Sequence, residues 1–319
     1  MSPLLAVVAA LFALSPVTLQ ARYDHARDIV ESSRDAGQRA RVQREIAVLE
    51  REDHRPRGAA PSIRLPPTAG LARPEGARDE QLTAKLSAIG IRYHGAAGFW
   101  VHDLATGATA GWNSDARFPA ASTVKLGVLA AALRRYGPRP ERSHVAYELR
   151  QLTAWSSNLA ANRLYALLGH TLVKRSLAAL GMWSSTYTGP YRAGTSRALD
   201  APRQPLLSTG RVTTAHDLGR ALFALQSHRA GLTRHEADYG LALLRRSIPV
   251  GDNQGLLRPW LHGVAVAEKN GWISDTRITA AIVYRSSGPL IIVVEVNRPG
   301  LPRYEARALG RDLLRAAGL

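Results

Sequence analysis

The chain has 319 residues, of which 45% are hydrophobic, an ordinary share for a globular protein with one large domain or two modest ones. It contains no cysteine, which excludes disulfides, thiol catalysis and cysteine-ligated metals. Its 42 Lys and Arg exceed its 25 Asp and Glu by 17, so we expect contact with an anionic cell-wall polymer or membrane surface. No nucleic-acid partner is expected, because the arginines are scattered and aromatic residues make up only 6%.

The N-terminus predicts export. Residues 4–19 are nearly continuous apolar sequence, which is short for a membrane span and suits the core of a signal peptide, with Ala21 as a candidate cleavage point. A basic stretch before this core is missing, so an uncleaved anchor is the alternative. Residues 1–21 are therefore interpreted as a signal peptide or N-terminal anchor, and the protein as secreted or held in the cell envelope.

Three further segments follow. Residues 22–57 are dense in charges of both signs with a weak apolar stripe, which predicts a solvated helix or a short coiled-coil arm. Residues 58–76 are rich in proline and glycine and are interpreted as a linker. Residues 77–319 are then one folded domain.

The pattern of this domain predicts the α+β class. A helical block runs to about residue 247, between strands near its two ends. The expected helices are 80–89 and an amphipathic 303–317; the expected strands are 97–104, 108–112, 264–269, 278–284 and 290–296. This order indicates an antiparallel β-sheet flanked by helices, plus an all-α half, with a cleft between the halves.

Ser122-Thr123-Val124-Lys125 opens an apolar run that is typical of a helix. The spacing of three places Ser122 and Lys125 one helical turn apart. A serine hydroxyl needs a neighbouring base to become a good nucleophile, and a lysine can be that base whereas an arginine cannot. Lysine occurs only at positions 85, 125, 174 and 269, and the other 38 cations are arginine.

Two more motifs follow in order: Ser156-Ser157-Asn158 and Lys269-Asn270-Gly271-Trp272. The three motifs together resemble Ser-x-x-Lys, Ser-Asp-Asn and Lys-Thr-Gly of the class A β-lactamases and penicillin-binding proteins. Residues from about 77 to 319 can be placed on that pattern. The resemblance implies an enzyme, a serine hydrolase that needs no cofactor or metal and acts on a small β-lactam or a peptidoglycan stem peptide.

The resemblance also implies roles for individual residues. Ser122 would attack a carbonyl carbon, Lys125 would take or relay its proton, and Ser156 with Lys269 would pass a proton towards the leaving nitrogen. The backbone N–H groups of Ser122 and Trp272 would form the oxyanion hole. The remaining implied contacts are to substrate, from Asn158, Asn270, Gly271 and Arg277. Arg277 suits a carboxylate because its guanidinium is a planar fork, although a solvated surface cation is equally compatible.

The sequence departs from the family pattern at several positions, and one departure bears on deacylation, the hydrolysis of the acyl-enzyme. Ser157 and Asn270 stand where the family has Asp and Thr or Ser. Class A enzymes carry a glutamate that activates the water hydrolysing the acyl-enzyme, and its expected position falls near Tyr191. No glutamate occurs from 181 to 235, where the only acids are Asp200 and Asp217. A tyrosine is a poor general base at neutral pH, so slow deacylation is expected, with Asp200 as the alternative base if the loop folds differently.

Three interpretations of the function remain open. The first is an exported serine acyl-hydrolase, expected to be a monomer, with a Ser122 acyl-enzyme. The second is a β-lactam hydrolase that confers resistance, which would need a deacylating base. The third is a non-hydrolytic penicillin-binding, penicillin-sensing or cell-wall-binding module on the same fold.

The spacing from Ser122 to Ser156 is shorter than usual in class A, which predicts trimmed helices and a more open cleft. Such a cleft suits a peptidoglycan stem peptide as well as a small lactam.

Overall fold

The computed structural model describes residues 71–154, 156–191, 210–247, 253 and 255–319, together with positions 37 and 40. The expected signal peptide, the charged arm apart from those two positions, and most of the linker therefore lie outside the described residues. The division of the chain into four segments stays a prediction. In the described part of the chain, no helix is both long and apolar enough to cross a membrane.

The described residues form α-helices and two sheets. The helices are α1 (Glu80–Arg92), α2 (Lys125–Tyr136), α3 (Ala146–Ala154), α4 (Asn158–Leu168), α5 (His170–Ala179), α6 (Ala215–Gln226), α7 (Arg234–Leu244) and α8 (Arg303–Ala316). The strands are β1 (Ala96–Asp103), β2 (Thr109–Trp112), β3 (Phe118–Pro119), β4 (Val212–Thr213), β5 (Ala265–Ile273), β6 (Thr276–Arg285) and β7 (Gly288–Asn297). The main sheet is antiparallel with the order β2-β1-β7-β6-β5, and β3 pairs with β4. The predicted α+β class is confirmed.

The sheet is covered on both faces, which explains why every residue of its central strand β7 is buried. Successive side chains of a strand point to opposite faces. Ile291 and Val293 accordingly join the core that the sheet shares with α6 and the all-α half, whereas Ile292 and Val294 join the core under α1 and α8. The two halves of the domain are thus built on one sheet.

Helix α2 is the centre of the all-α half. Its nine residues from 125 to 133 are all buried, because α3, α4, α5 and α7 pack around it. A helix that is apolar on every side suits such a central position. Lys125 is the first residue of α2, so the packing of the helix takes its side chain into the interior.

Two boundaries next to the site bear on its geometry. Strand β5 continues past Lys269 to Ile273, because pairing with β6 carries the Asn270-Gly271 pair into the ladder, with Gly271 opposite Ile278. Helix α2 begins at Lys125, and residues 121–124 ahead of it form turns. Ala121 has a left-handed φ of 46°, so no continuous right-handed helix extends upstream through it.

Candidate active site

Ser122 lies in a tight turn ahead of α2. The turn, residues 120–124 and hereafter the Ser122 turn, is closed by i to i+3 hydrogen bonds: Thr123 N donates to Ala120 O (3.0 Å) and Lys125 N donates to Ser122 O (3.2 Å). The predicted one-turn separation of Ser122 and Lys125 is therefore present, although Ser122 itself precedes the helix. Ser122 is partly exposed whereas Lys125 is fully buried. The amine of Lys125 is thus enclosed one turn after the partly exposed Ser122.

Lys125 reaches from α2 to the start of α4. Its Nζ donates to the backbone oxygen of Ser156 and, at 2.7 Å, to Asn158 Oδ1. Ser156 Oγ is also within reach of the same nitrogen at 3.4 Å. Helix α4 is held in place by Ser157, its N-cap, whose Oγ accepts from Ala160 N at 3.1 Å. A serine in the family's aspartate position thus caps the helix that presents Asn158.

The hydroxyl of Ser156 lies between two lysines. Lys269 Nζ donates to Ser156 Oγ at 2.7 Å and to Asn270 O at 2.9 Å. Ser156 is buried and has a φ of 65°, a left-handed conformation uncommon for a non-glycine residue. Strained backbone of this kind persists only where surrounding contacts hold it, and it is concentrated at functional sites. A hydroxyl bridging two amines can pass a proton from one to the other.

Burial changes the acid–base behaviour of Lys269. Its side chain is 2% exposed, and desolvation lowers its pKa from 10.5 to about 7, although the neighbouring carboxylate of Glu268 acts in the opposite direction. Lys269 therefore changes charge near neutral pH. A neutral amine there can accept a proton, and a charged one can attract an anionic group of a substrate.

Strand β5 forms the other wall. It is an edge strand of the sheet, and at Gly271 it approaches the Ser122 turn closely: a Cβ there would lie 3.1 Å from Ala120 O and 3.1 Å from Thr123 Cγ2. Both distances are tighter than ordinary van der Waals contact, so a larger residue here would have to displace the turn. Trp272 is the next residue, opposite Arg277 in β6. The Trp272 N–H therefore belongs to a strand lying against the turn that carries Ser122.

Two residues that were predicted to contact the substrate, Asn270 and Arg277, have side chains that bind other groups of the protein. Asn270 Nδ2 donates to Asn253 O at 3.1 Å, and its Oδ1 accepts from Thr279 Oγ1 at 2.7 Å. Arg277 Nη1 donates to two backbone carbonyls of its own hairpin, Ile273 O and Thr276 O. A substrate contact by Asn270 would thus fall to its backbone, and one by Arg277 to the Nε or Nη2 side of its guanidinium.

The position expected for the deacylating glutamate is occupied by the buried Tyr191. Its Oη donates to Ala121 O at 2.9 Å, and its ring centroid lies 4.5 Å from Lys125 Nζ. Burial raises the pKa of its phenol, with Arg211 acting in the opposite direction, so Tyr191 remains protonated. Asn162 holds the backbone of Tyr191 at both ends: Oδ1 accepts from Tyr191 N (2.7 Å) and Nδ2 donates to Tyr191 O (3.1 Å).

Of the two other candidate bases, Asp217 belongs to the described residues and is engaged elsewhere. Asp217 lies in the first turn of α6, where it accepts from Ser184 N and Ser185 Oγ, each at 2.8 Å. Asp200 lies outside the described residues. Within the ranges that the structure describes, no group of three His, Asp or Glu side chains is placed to hold a metal ion.

Sequence reasoning assigned no role to Tyr191 beyond its position, and none to Arg211, whose guanidinium lies 4.2 Å from the Tyr191 ring. Counting along the family pattern was the only signal that pointed to Tyr191. Its contacts join residues 70 apart in the chain, and no local pattern encodes them.

The protein has an antiparallel sheet with helices on both faces, an all-α half, and Ser156 in contact with two lysines. These features are typical of the β-lactamase and penicillin-binding family of serine hydrolases. The chain belongs to the β-lactamase enzyme family: a sequence model of that family matches residues 81–139 and 139–317. No curated protein sequence matches the chain significantly.

Solved structures show the same fold. A β-lactamase from Sphaerobacter thermophilus is 22% identical, with a TM-score of 0.60, covering 75% of this chain and 95% of its own. The penicillin-binding protein PBP-A is 20% identical, with a TM-score of 0.63, covering 77% of this chain and 97% of its own. An ancestral class A β-lactamase of Gram-negative bacteria is 23% identical, with a TM-score of 0.60 and coverages of 74% and 99%. These similarities concern the fold.

Proposed function

We propose that the protein is an exported serine acyl-hydrolase that forms an acyl-enzyme on Ser122 with a β-lactam or a peptidoglycan-type amide. The observation that carries this proposal is the position of Ser156 Oγ, 2.7 Å from Lys269 Nζ and 3.4 Å from Lys125 Nζ. A hydroxyl within reach of two buried amines supports the proton transfers that acyl transfer requires. A structure of a PBP-A variant as an acyl-enzyme with penicillin G also supports a β-lactam as the ligand class.

Acylation would proceed as follows. Ser122 Oγ attacks the carbonyl carbon of the amide, and the proton of its hydroxyl passes to Lys125. The negative charge on the carbonyl oxygen is stabilised by the N–H groups of Ser122 and Trp272. The C–N bond then breaks, and the leaving nitrogen receives a proton through Ser156, which Lys125 and Lys269 both contact. Asn158, bonded to Lys125, would orient that amine and the substrate amide.

Deacylation would be slow, because the described part of the site lacks a carboxylate that could activate water. The phenol of Tyr191 is protonated and already donates to Ala121 O, so it does not act as a general base. Asp217 is engaged at the start of α6. A long-lived acyl-enzyme is the result expected of this chemistry.

The test is the intact mass of the protein after incubation with penicillin G, with Ser122→Ala in parallel. We expect a lasting adduct on the wild type and none on Ser122→Ala. Consumption of the drug without an adduct would contradict slow deacylation, whereas an unmodified protein with intact drug would contradict a β-lactam ligand. Fractionation of the producing cells tests export, since the full-length chain in the cytoplasm alone would contradict it.

A second candidate is a non-hydrolytic penicillin-sensing or wall-binding module. It is favoured by the same lack of a deacylating carboxylate, since a sensor needs a persistent adduct. Release of D-alanine from a soluble acyl-D-alanyl-D-alanine peptide distinguishes the two. Steady release that Ser122→Ala abolishes supports the enzyme, whereas a penicillin adduct without any release supports the sensor.

A further inference from the structure

The peptide group between Ala121 and Ser122 is held by a residue remote in sequence. Tyr191 Oη donates a hydrogen bond to Ala121 O at 2.9 Å. A trans peptide is planar, so the C=O of Ala121 and the N–H of Ser122 point in opposite directions from one rigid unit. Any contact that fixes the carbonyl therefore fixes the direction of the Ser122 N–H, one of the two donors assigned to the oxyanion hole.

This peptide needs such a contact because Ala121 is strained. Its φ of 46° is left-handed, which disfavours an alanine by about 1–2 kcal/mol. A conformation of this kind relaxes unless its surroundings determine it. On one side, Gly271 of β5 lies against the turn, where a Cβ would be 3.2 Å from Ala121 Cβ. The hydrogen bond from Tyr191 supplies a directional restraint that this packing contact lacks.

Tyr191 is itself well fixed, which allows it to position another group. Asn162 binds both its backbone N–H and its carbonyl, and the tyrosine is 7% exposed. Arg211 packs on the ring at 4.2 Å and donates from Nη1 to Gly189 O at 3.0 Å. Arg211 O in turn accepts from Ala120 N at 3.0 Å, so Arg211 contacts both the Tyr191 ring and the Ser122 turn. The phenol of Tyr191 is therefore held in place next to the Ser122 turn.

We propose that Tyr191 is a positioning residue for acylation, its hydroxyl holding the Ala121–Ser122 peptide so that the Ser122 N–H faces the developing oxyanion. The inference rests on the proposed function and extends it. A hydrogen bond to the carbonyl also polarises the peptide and strengthens its N–H as a donor. Tyr191, which stands in the position of the family's deacylating glutamate, thus serves acylation instead of deacylation.

The test compares Tyr191→Phe with Tyr187→Phe. The first keeps the ring beside Lys125 and removes only the hydroxyl. The control removes the hydroxyl of a buried neighbouring tyrosine, ring centroids 5.7 Å apart, which has no hydrogen-bond partner within the described residues. For Tyr191→Phe we expect the rate constant of acylation by penicillin G to fall about threefold to tenfold, the effect of one neutral hydrogen bond, with unchanged affinity of the preceding noncovalent complex.

Phenylboronic acid supplies a second readout, because its tetrahedral adduct with the Ser122 oxygen places an oxygen in the oxyanion hole without a lactam. Its affinity should fall by the same factor in Tyr191→Phe and stay unchanged in Tyr187→Phe. Equal acylation rates and boronate affinities in wild type and Tyr191→Phe would overturn the inference. So would a parallel loss of noncovalent penicillin affinity, which indicates a general disturbance of the site.

Hydrogen exchange of the free protein separates this inference from the proposed function. The amides of Thr123 and Lys125 donate within the Ser122 turn, and we expect both to exchange faster in Tyr191→Phe but not in Tyr187→Phe. If the wild type reacts with neither probe, the proposed function fails, while faster exchange in Tyr191→Phe alone still supports the positioning contact. Unchanged exchange would overturn it.

Discussion

Replacing Lys269 by methionine should change how the stability of the protein depends on pH. In the fold, burial lowers the pKa of Lys269 from 10.5 to about 7, whereas a lysine in the unfolded chain titrates at about 10.4. Between these two values the unfolded chain binds more protons than the folded protein. Lys269 therefore makes a contribution to the free energy of unfolding that rises with pH from about 7 towards 10.

The magnitude follows from these two pKa values. Integrating the difference in bound protons from pH 7 to pH 9 gives a rise of about 2 kcal/mol that Lys269 alone contributes. Methionine has a similar shape and no charge, so Lys269→Met removes this contribution. Urea unfolding at pH 7, 8 and 9 gives the free energy of unfolding of the wild type and of Lys269→Met. The difference between their slopes against pH measures the contribution of Lys269. The comparison stops at pH 9, because tyrosines of the unfolded chain ionise at about pH 10.

The matched control is Lys174→Met, a substitution of an exposed lysine in α5. It should leave the pH dependence of the wild type in place. Parallel curves for the wild type and Lys269→Met between pH 7 and 9 would refute the argument, because the amine of Lys269 would then be charged in the fold throughout this range.

Four further predictions concern the site. Acylation by an anionic penicillin should slow above about pH 7 as Lys269 loses its proton, which the pH profile of the acylation rate measures. Gly271→Ala, whose Cβ would lie 3.1 Å from Ala120 O, should destabilise the protein by about 1–3 kcal/mol and slow acylation. Asn162→Ala removes both hydrogen bonds to the Tyr191 backbone and should lower the free energy of unfolding by about 1–3 kcal/mol. Tyr191→Glu restores the carboxylate that the family resemblance implies and should shorten the lifetime of the penicillin adduct.

Each of these has a control and an outcome that contradicts it. Gly76→Ala places its Cβ at an ordinary 3.4 Å from Gly107 O and should be nearly neutral, and equal effects of the two alanines would argue against crowding at Gly271. Asn162→Asp keeps only the acceptor and should be intermediate. The control for Tyr191→Glu is Tyr191→Gln, because glutamine has the shape of glutamate without its charge. Equal adduct lifetimes in these two variants would exclude carboxylate catalysis. A flat pH profile of acylation would contradict a role for the charge of Lys269.

Much of the fold was predictable because it depends on local patterns. The apolar run from Leu126 to Leu133 indicated a helix, and it is the buried centre of the all-α half. The strands of the main sheet were predicted in order from their hydrophobic patterning. Their exact ends were not: β5 continues to Ile273 because β6 pairs with it, and propensity around Asn270 and Gly271 alone would end the strand.

The candidate site divides in the same way. The predicted spacing of Ser122 and Lys125 is present in the structure because it is set within one turn of chain. The three motifs also contained Lys125, Ser156 and Lys269, and both lysines contact the Ser156 hydroxyl in the structure. Sequence did not reveal that the amide of Asn270 is bonded to Asn253 and Thr279.

By itself, the sequence determined the order of the elements, the family and the side chains available for chemistry, since these depend on residue types and short spacings. Tertiary structure alone decided that Lys269, 113 residues from Ser156, meets its hydroxyl at 2.7 Å, and that Tyr191 holds the carbonyl of Ala121. It also decided the lowered pKa of Lys269. The physical reason is that desolvation and long-range hydrogen bonds arise from the packing of segments distant in the chain, and no local pattern specifies that packing.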